Sequence, residues 1–346
     1  MRISTCALIL LACSAVSAVE ITPVHLDGLL QPQVAVGTDG SVQVVGVTPD
    51  DGGSDVVYCR RGADGTFSAL RTVNDQPKSA TCIGTIRGAR LALGRGGIPH
   101  VAWNGRDGKA FWYSRDFAPA RNLLATGDGV DGGGAVAADG AGRVAIVFHH
   151  QAGAAKDEGR QVASVTSDDD GVTLSAARPM TLPAVGVCGC CSLAADLDGT
   201  GRIELLFRNA AKGSRDLWFV GGDGRSRVLG PWTVQSCPMS SAAIVHHGAA
   251  TYFAWEQQGQ VWWCQAGRTA ISAGLGKYPA LAVDAAGTVI IAWAAGTGWS
   301  RGGDVRWQAY GADGATIGPA GTQTGLPAWG APAVVADAPG RFTVLW

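Results

Sequence analysis

LAVDAAGTVIIAW, residues 281–293, is the stretch on which the fold turns. It runs from a short apolar segment through a turn holding Asp284, past Gly287, into an apolar strand that ends on Trp293. The same order recurs as VAVGTDGSVQVVG (34–46), LALGRGGIPHVAW (91–103), AVAADGAGRVAIVF (135–148), LAADLDGTGRIELLF (193–207), AAIVHHGAATYFAW (242–255) and AVVADAPGRFTVLW (333–346). The marker glycines are Gly40, Gly97, Gly142, Gly201, Gly248, Gly287 and Gly340. Six residues beyond them stand Trp103, Phe148, Phe207, Trp293 and Trp346. Trp255 comes seven residues after its glycine, and Gly46 takes the place in the first copy.

Each copy reads as a β-hairpin: glycine permits the positive φ of its turn, and alternation buries one strand face. The markers are 39 to 59 residues apart, which leaves room for two further strands per unit. Candidates are DVVYCRR (55–61), KAFWYSRD (109–116), RQVASVTS (160–167), RDLWFVGG (215–222), QVWWCQ (260–265) and DVRWQAYG (304–311). Four-stranded antiparallel units repeated radially make an all-β propeller of six or seven blades, and the hairpin count favours seven. VEITPVHL, from Val19, is expected to add a strand to the last hairpin and close the ring. The recurrent aromatics are expected to pack between blades.

Composition agrees. Of 346 residues 47% are apolar and 16% charged, the net charge is −1, and 51 glycines fit a chain of many tight turns. No basic stripe offers a nucleic-acid surface. At the N-terminus Arg2 precedes an apolar run from Ile3 to Val16, and Val16-Ser17-Ala18 supplies a signal-peptidase site before Val19. Residues 1–18 then form a signal peptide and 19–346 a single propeller domain. Leu10-Leu11-Ala12-Cys13 also reads as a lipobox, with Cys13 as lipid anchor. The run is too short for the roughly 20 residues of a transmembrane helix. Both readings export the protein, to the periplasm or the cell exterior.

Residues 167–174, SDDDGVTL, resemble the Asp-box of the sialidase (BNR-repeat) superfamily, with Ser167, Asp169, Gly171 and Thr173 in its structural positions and Leu174 where an aromatic is usual. GADGTF (62–67) and GGDGRS (221–226) look like decayed copies. A fuller resemblance, over the middle third of the chain, is to secreted bacterial sialidase-like propellers. It rests on Cys188-Gly189-Cys190-Cys191, Arg208, Arg215-Asp216 and Cys237-Pro238. The resemblance implies six blades, against the hairpin count, and a ligand face opposite the Asp-box. Sialidases use three arginines, a Tyr-Glu pair and an acidic Asp. The Phe/Tyr-Arg-Ile-Pro segment that delivers the first arginine is absent here.

Propeller topology sorts residues by face. The rim where the innermost strand begins and the second strand ends, the upper face, gathers the blade-to-blade loops. Candidate ligand-binding residues there are Asn104, His149, Arg208, Arg215, Glu256 and Trp329. Arg208, Glu256 and Asp216 are the catalytic candidates, with two carboxyl groups for glycoside cleavage and an arginine for a substrate carboxylate. The competing reading makes Arg215-Asp216 a local ion pair and has Arg208 bond loop carbonyls. His246-His247 is expected to be solvated, and His100 to be a packing residue.

Of nine cysteines, seven follow Ala18. Cys59 and Cys264 fall within strands. In an exported protein the expectation is a disulfide from Cys237 to one of Cys188, Cys190 and Cys191. The alternative is a Cu(I) or Zn(II) site on these sulfurs, with His149 or His150 as a further ligand. No other cofactor is expected. Three functions follow: a module binding a glycan or another extracellular ligand, an exo-sialidase-type glycoside hydrolase, or a Cys-rich metal-binding or redox propeller.

Overall fold

The structure, a computed structural model, describes residues 19–125, 128–151 and 157–346. The signal-peptide segment and Cys13 lie outside the described residues. Seven antiparallel hairpins stand in a ring, and every expected hairpin is present. The innermost strands are Leu30–Val36, Arg90–Leu93, Ala135–Ala138, Ala194–Leu197, Ala242–His247, Lys277–Val283 and Ala333–Ala338. Each touches the next, and the last touches the first. Blades 1 to 6 have four strands in chain order, and blade 7 has three. The chain is a seven-bladed β-propeller. Among the described residues no helix is long and apolar enough to cross a membrane.

Blade 7 is closed by the N-terminal strand Glu20–Val24, which pairs with Arg341–Leu345 in parallel register, Glu20 opposite Arg341 and Val24 opposite Leu345. Direction follows from parity. In a four-stranded blade the outermost strand runs upward and delivers the chain to the next innermost strand. Here one strand must do that work, so it too runs upward, alongside the second strand rather than against it.

All seven marker glycines adopt positive φ, from 59° at Gly248 to 124° at Gly142. The recurrent turn aspartate tightens the same turns. Asp284 Oδ1 accepts from the backbone N–H of Ala286 (2.9 Å) and Thr288 (2.8 Å), and Asp139 Oδ1 accepts from Ala141, Gly142 and Arg143.

The core is a set of apolar clusters between consecutive blades rather than one mass. Trp103 packs with blade 1, Phe148 with Phe111 of blade 2, Trp255 with Phe219 of blade 4, and Trp346 with Trp307 of blade 6. The recurrent aromatics are therefore the seals between blades. Burying each removes roughly 150–250 Å² from water, about 4–6 kcal/mol at 25 cal/mol/Å² before entropy. Gly46 departs from the pattern for a steric reason. A Cβ there would lie 2.4 Å from Leu29 Cδ2 and 2.7 Å from the Leu30 carbonyl, so Leu29 already fills that slot.

Candidate functional site

The ends of the second strands reach the upper rim, but their polar side chains turn back into the protein. Asn104 is buried and its Nδ2 donates to the carbonyls of Asp131 and Gly132, both at 3.1 Å. His149 is fully buried with Nδ1 3.1 Å from the Gly132 carbonyl, and burial pushes its pKa down to about 4. His150 Nδ1 lies 2.6 Å from Asp128. Arg208 is buried and staples blade 4 to blade 5: Nε donates to Ser240 Oγ (2.5 Å), Nη1 to the Arg215 carbonyl (2.6 Å) and Nη2 to the Glu256 carbonyl. Its guanidinium lies 4.9 Å from the Trp232 ring centre. Loop carbonyls left over by irregular backbone need such donors.

Arg215 and Asp216 do not pair with each other among the described residues. Arg215 Nη1 donates to the Ser214 carbonyl at 2.8 Å, and Asp216 Oδ1 accepts from the Trp232 backbone N–H at 2.6 Å. This corrects the ion-pair expectation: the aspartate caps the following loop. Glu256 is buried, its Oε2 lacks a donor among the described residues, and burial raises its pKa against the opposing charges of Lys277 and Arg208.

Four sulfurs gather beside Arg208. Cys190 and Cys237 form the expected disulfide. Cys188 Sγ lies 3.6 Å from Cys190 Sγ and 3.7 Å from Cys237 Sγ. Cys191 Sγ accepts from Ser240 Oγ at 3.6 Å. Cys188 and Cys191 are buried thiols. The hydrogen bond to Cys191, then burial, raises the Cys188 pKa. Burial also opposes ionisation of Cys191, but the Cys188 hydrogen bond and the Arg208 charge outweigh it and hold that thiol below its ordinary range. Neither His149 nor His150 belongs to this group. Cys59, Cys82 and Cys264 are separate, buried free thiols.

The open part of the upper face is elsewhere. Trp299 stands at the tip of a tight turn closed by Gly298 and Arg301, and 62% of it is exposed. Its ring edge rests on Gly84, where a Cβ would come 2.9 Å from Cη2. With Tyr278, Trp329, Lys277 and Met239 it lines a cavity of about 120 Å³. The indole Nε1 of Trp329 is buried without an acceptor among the described residues. Burial, then the nearby Glu256 charge, pushes the Tyr278 pKa up to about 12, so its hydroxyl stays protonated. Tyr278 also borders the central channel, about 430 Å³, walled by the innermost strands. At the upper end of that channel Arg90 donates a long bond, 3.4 Å, to the Ile86 carbonyl, and among the described residues its Nε has no acceptor.

Gln31 braces this mouth. Its Nε2 lies 3.0, 3.1 and 2.9 Å from the carbonyls of Cys82, Thr85 and Trp329, two hydrogens shared among three acceptors. Its Oε1 accepts from the N–H groups of Arg87 (3.0 Å) and Gly88 (2.7 Å). Trp329 is the sequence candidate that the structure brings to the cavity. Tyr278, Trp299, Gln31 and Arg90 were not legible as site residues. One signal was present: Gln31-Pro32 and Tyr278-Pro279 both place a residue with positive φ (53° and 54°) before proline, at a bulge opening an innermost strand.

On the lower face the turn after Gln161–Ser167 is closed by Asp169. Its Oδ1 accepts from Ser167 Oγ (2.7 Å) and the Thr173 N–H (2.8 Å), its Oδ2 from Thr173 Oγ1 (2.7 Å), and Gly171 has φ 77°. His100 is fully buried, 2.7 Å from the Tyr113 hydroxyl. His246 is not solvated as expected. Its Nε2 lies 3.1 Å from Glu204, and its Nδ1 is 3.2 Å from Thr251 Oγ1.

No protein-family model matches the chain. No curated protein matches it either. The sialidase-like resemblance therefore stands on its motifs alone. Among solved structures the chain is similar to an α-L-arabinanase of Penicillium chrysogenum complexed with arabinobiose, at 14% identity over 80% of this chain and 93% of that one, TM-score 0.53. It is similar to the Aleuria aurantia lectin in complex with α-methyl-L-fucoside, at 12% identity over 87% and 97%, TM-score 0.52. It is also similar to a puromycin hydrolase, at 17% identity over 88% of this chain and 48% of that one, TM-score 0.52. At these identities the likeness shows the propeller fold and nothing finer.

Proposed function

We propose that the chain is an exported propeller that binds a glycan at its upper mouth without turning it over. The observation that carries this reading is the cavity between Trp299, Trp329 and Tyr278, with a large indole left open to solvent. Aromatic walls take the apolar face of a sugar ring, and a few spare polar groups fix its orientation. The Tyr278 hydroxyl serves that purpose, and Arg90 offers spare donors below it. Two propellers of similar fold, the lectin and the arabinanase, are complexed with a fucoside and with arabinobiose. Export rests on the N-terminal segment.

Hydrolysis is the second reading, and Glu256 favours it: a buried carboxyl of raised pKa suits a general acid. A glycosidase needs a partner carboxylate across the scissile bond. The candidate, Asp216, is engaged by the Trp232 N–H. Binding without turnover therefore fits better. The test is a glycan array of neutral and acidic sugars, run beside a panel of fluorogenic glycosides. Array binding with no released fluorophore supports the proposal. Turnover abolished in Glu256→Gln would establish the hydrolase instead.

A further inference from the structure

We propose that, with the Cys190–Cys237 disulfide reduced, Cys188, Cys190, Cys191 and Cys237 form a tetrathiolate site for a thiophilic d¹⁰ cation, Zn(II) or Cu(I). The sequence alone speaks against a single site, because Cys190 and Cys191 are adjacent and the usual paired spacing is missing. The folded chain removes that objection. All four Sγ atoms lie within 4.8 Å of one another. A tetrahedral ion with metal–sulfur bonds of about 2.3 Å sets its sulfurs about 3.8 Å apart. Cys188 Sγ already sits 3.6 and 3.7 Å from Cys190 Sγ and Cys237 Sγ. The Cα atoms of Cys190 and Cys237 are 6.9 Å apart, at the wide limit of the roughly 4.4–6.8 Å usual for a disulfide. The backbone thus leaves room for these two sulfurs to part.

The surroundings suit a charged thiolate cluster. Cys188 and Cys191 are buried, whereas Cys237 is only partly buried and gives an ion its way in. Ser240 Oγ donates to Cys191 Sγ and also receives Arg208 Nε, so the ligand sulfur is oriented by a group that is itself held. The fixed guanidinium of Arg208 offsets part of the negative charge that thiolates bring. The Cys188 backbone N–H donates to the Arg208 carbonyl at 2.8 Å, which ties the cysteine loop to the same anchor.

The steps balance. A dithiol supplies two electrons and two protons to convert the disulfide to two thiols and itself becomes a disulfide; a phosphine supplies the two electrons and becomes a phosphine oxide, with water giving the oxygen and the two protons. Binding of the cation then displaces four protons from four thiols. The ligand set contains only sulfur, so the soft cations are preferred over Mg(II) or Ca(II).

The test uses the chain from Val19, reduced with a phosphine, desalted without oxygen and titrated with Co(II) as a spectroscopic probe. The expected result is one equivalent bound, with sulfur-to-cobalt charge transfer and the intense visible bands of a tetrahedral tetrathiolate, both abolished by one equivalent of Zn(II). A Cu(I) competition with a coloured chelator distinguishes the two cations. Cys188→Ser with Cys191→Ser should lose binding at least 100-fold, and Cys59→Ser should leave it unchanged. Because buried substitutions risk misfolding, Cys237→Ser at the partly buried position serves as the second variant and should lose the tetrathiolate spectrum while keeping the far-ultraviolet β signature. No spectrum in the reduced protein, or an unchanged spectrum in Cys237→Ser, overturns the site.

Discussion

Gln31 and Trp329 stand 298 positions apart in the chain, and the Gln31 side-chain amide lies 2.9 Å from the Trp329 carbonyl. One residue at the start of blade 1 therefore fixes the loop that carries Trp329 between blades 6 and 7. Ring closure and the shape of the mouth are the same structural problem. Gln31→Ala leaves the N–H groups of Arg87 and Gly88 without their acceptor. Unmet buried groups cost about 1–3 kcal/mol each. We expect the unfolding free energy from a urea titration to fall by about 1–3 kcal/mol, with a lower midpoint, and weaker binding at the mouth. An unchanged midpoint would contradict the bracing role.

Gly46 is predicted to tolerate no side chain. Gly46→Ala should destabilise by about 1–3 kcal/mol through overpacking against Leu29. Leu29→Ala in the same chain should recover only part, because the Leu30 carbonyl stays 2.7 Å from the new Cβ. Full recovery in the double variant would show that the side chain alone sets the limit.

The parallel strand Glu20–Val24 closes blade 7. Removing residues 19–24 exposes the edge of Arg341–Leu345 and uncovers part of the apolar cluster that Ile21 joins. Thermal unfolding of the truncated chain should fall by several degrees or more, with protease cutting near Trp346. Equal melting temperatures would show that the ring closes without this strand.

These expectations separate what sequence displays from what it hides. The marker glycines and the aromatics six residues beyond them repeat because each blade solves the same turn and packing problem, so seven hairpins are readable. The closing strand is readable because it supplies the strand that the last hairpin lacks. The mouth has no such regularity: Gly84, Tyr278, Trp299 and Trp329 come from segments of unrelated length. Topology placed Asn104, His149 and Arg208 at the correct rim but said nothing about side-chain direction. Their donors were drawn inward by loop carbonyls. The cysteine loop was legible as a disulfide loop or a metal site, with the disulfide favoured by the expectation of export, whereas the convergence of four sulfurs needed coordinates.

His246 gives the lower face a pH dependence. Its 3.1 Å contact with the Glu204 carboxylate raises its pKa above the usual value of about 6.5, against the opposing effect of burial. Below about pH 6.5 both folded and unfolded chains hold the proton, and the stabilisation is fully present. As pH rises the unfolded chain releases its proton first, and the stabilisation is lost through the raised pKa of the folded state. Melting temperatures followed from pH 6 to 9 should decline, and His246→Gln should remove this part of the decline. A wild-type profile that rises over this range would reverse the assignment.

The most direct test of ligand binding at the upper mouth is a paired titration of wild type and Trp299→Ala with the strongest sugar from a glycan array, read by intrinsic tryptophan fluorescence. Trp299 is exposed, so its loss should leave the fold and melting temperature unchanged. Losing a stacking platform should raise Kd by about 10- to 100-fold, or roughly 1.4–2.8 kcal/mol. Equal Kd values for the two proteins would place the ligand elsewhere and contradict the account.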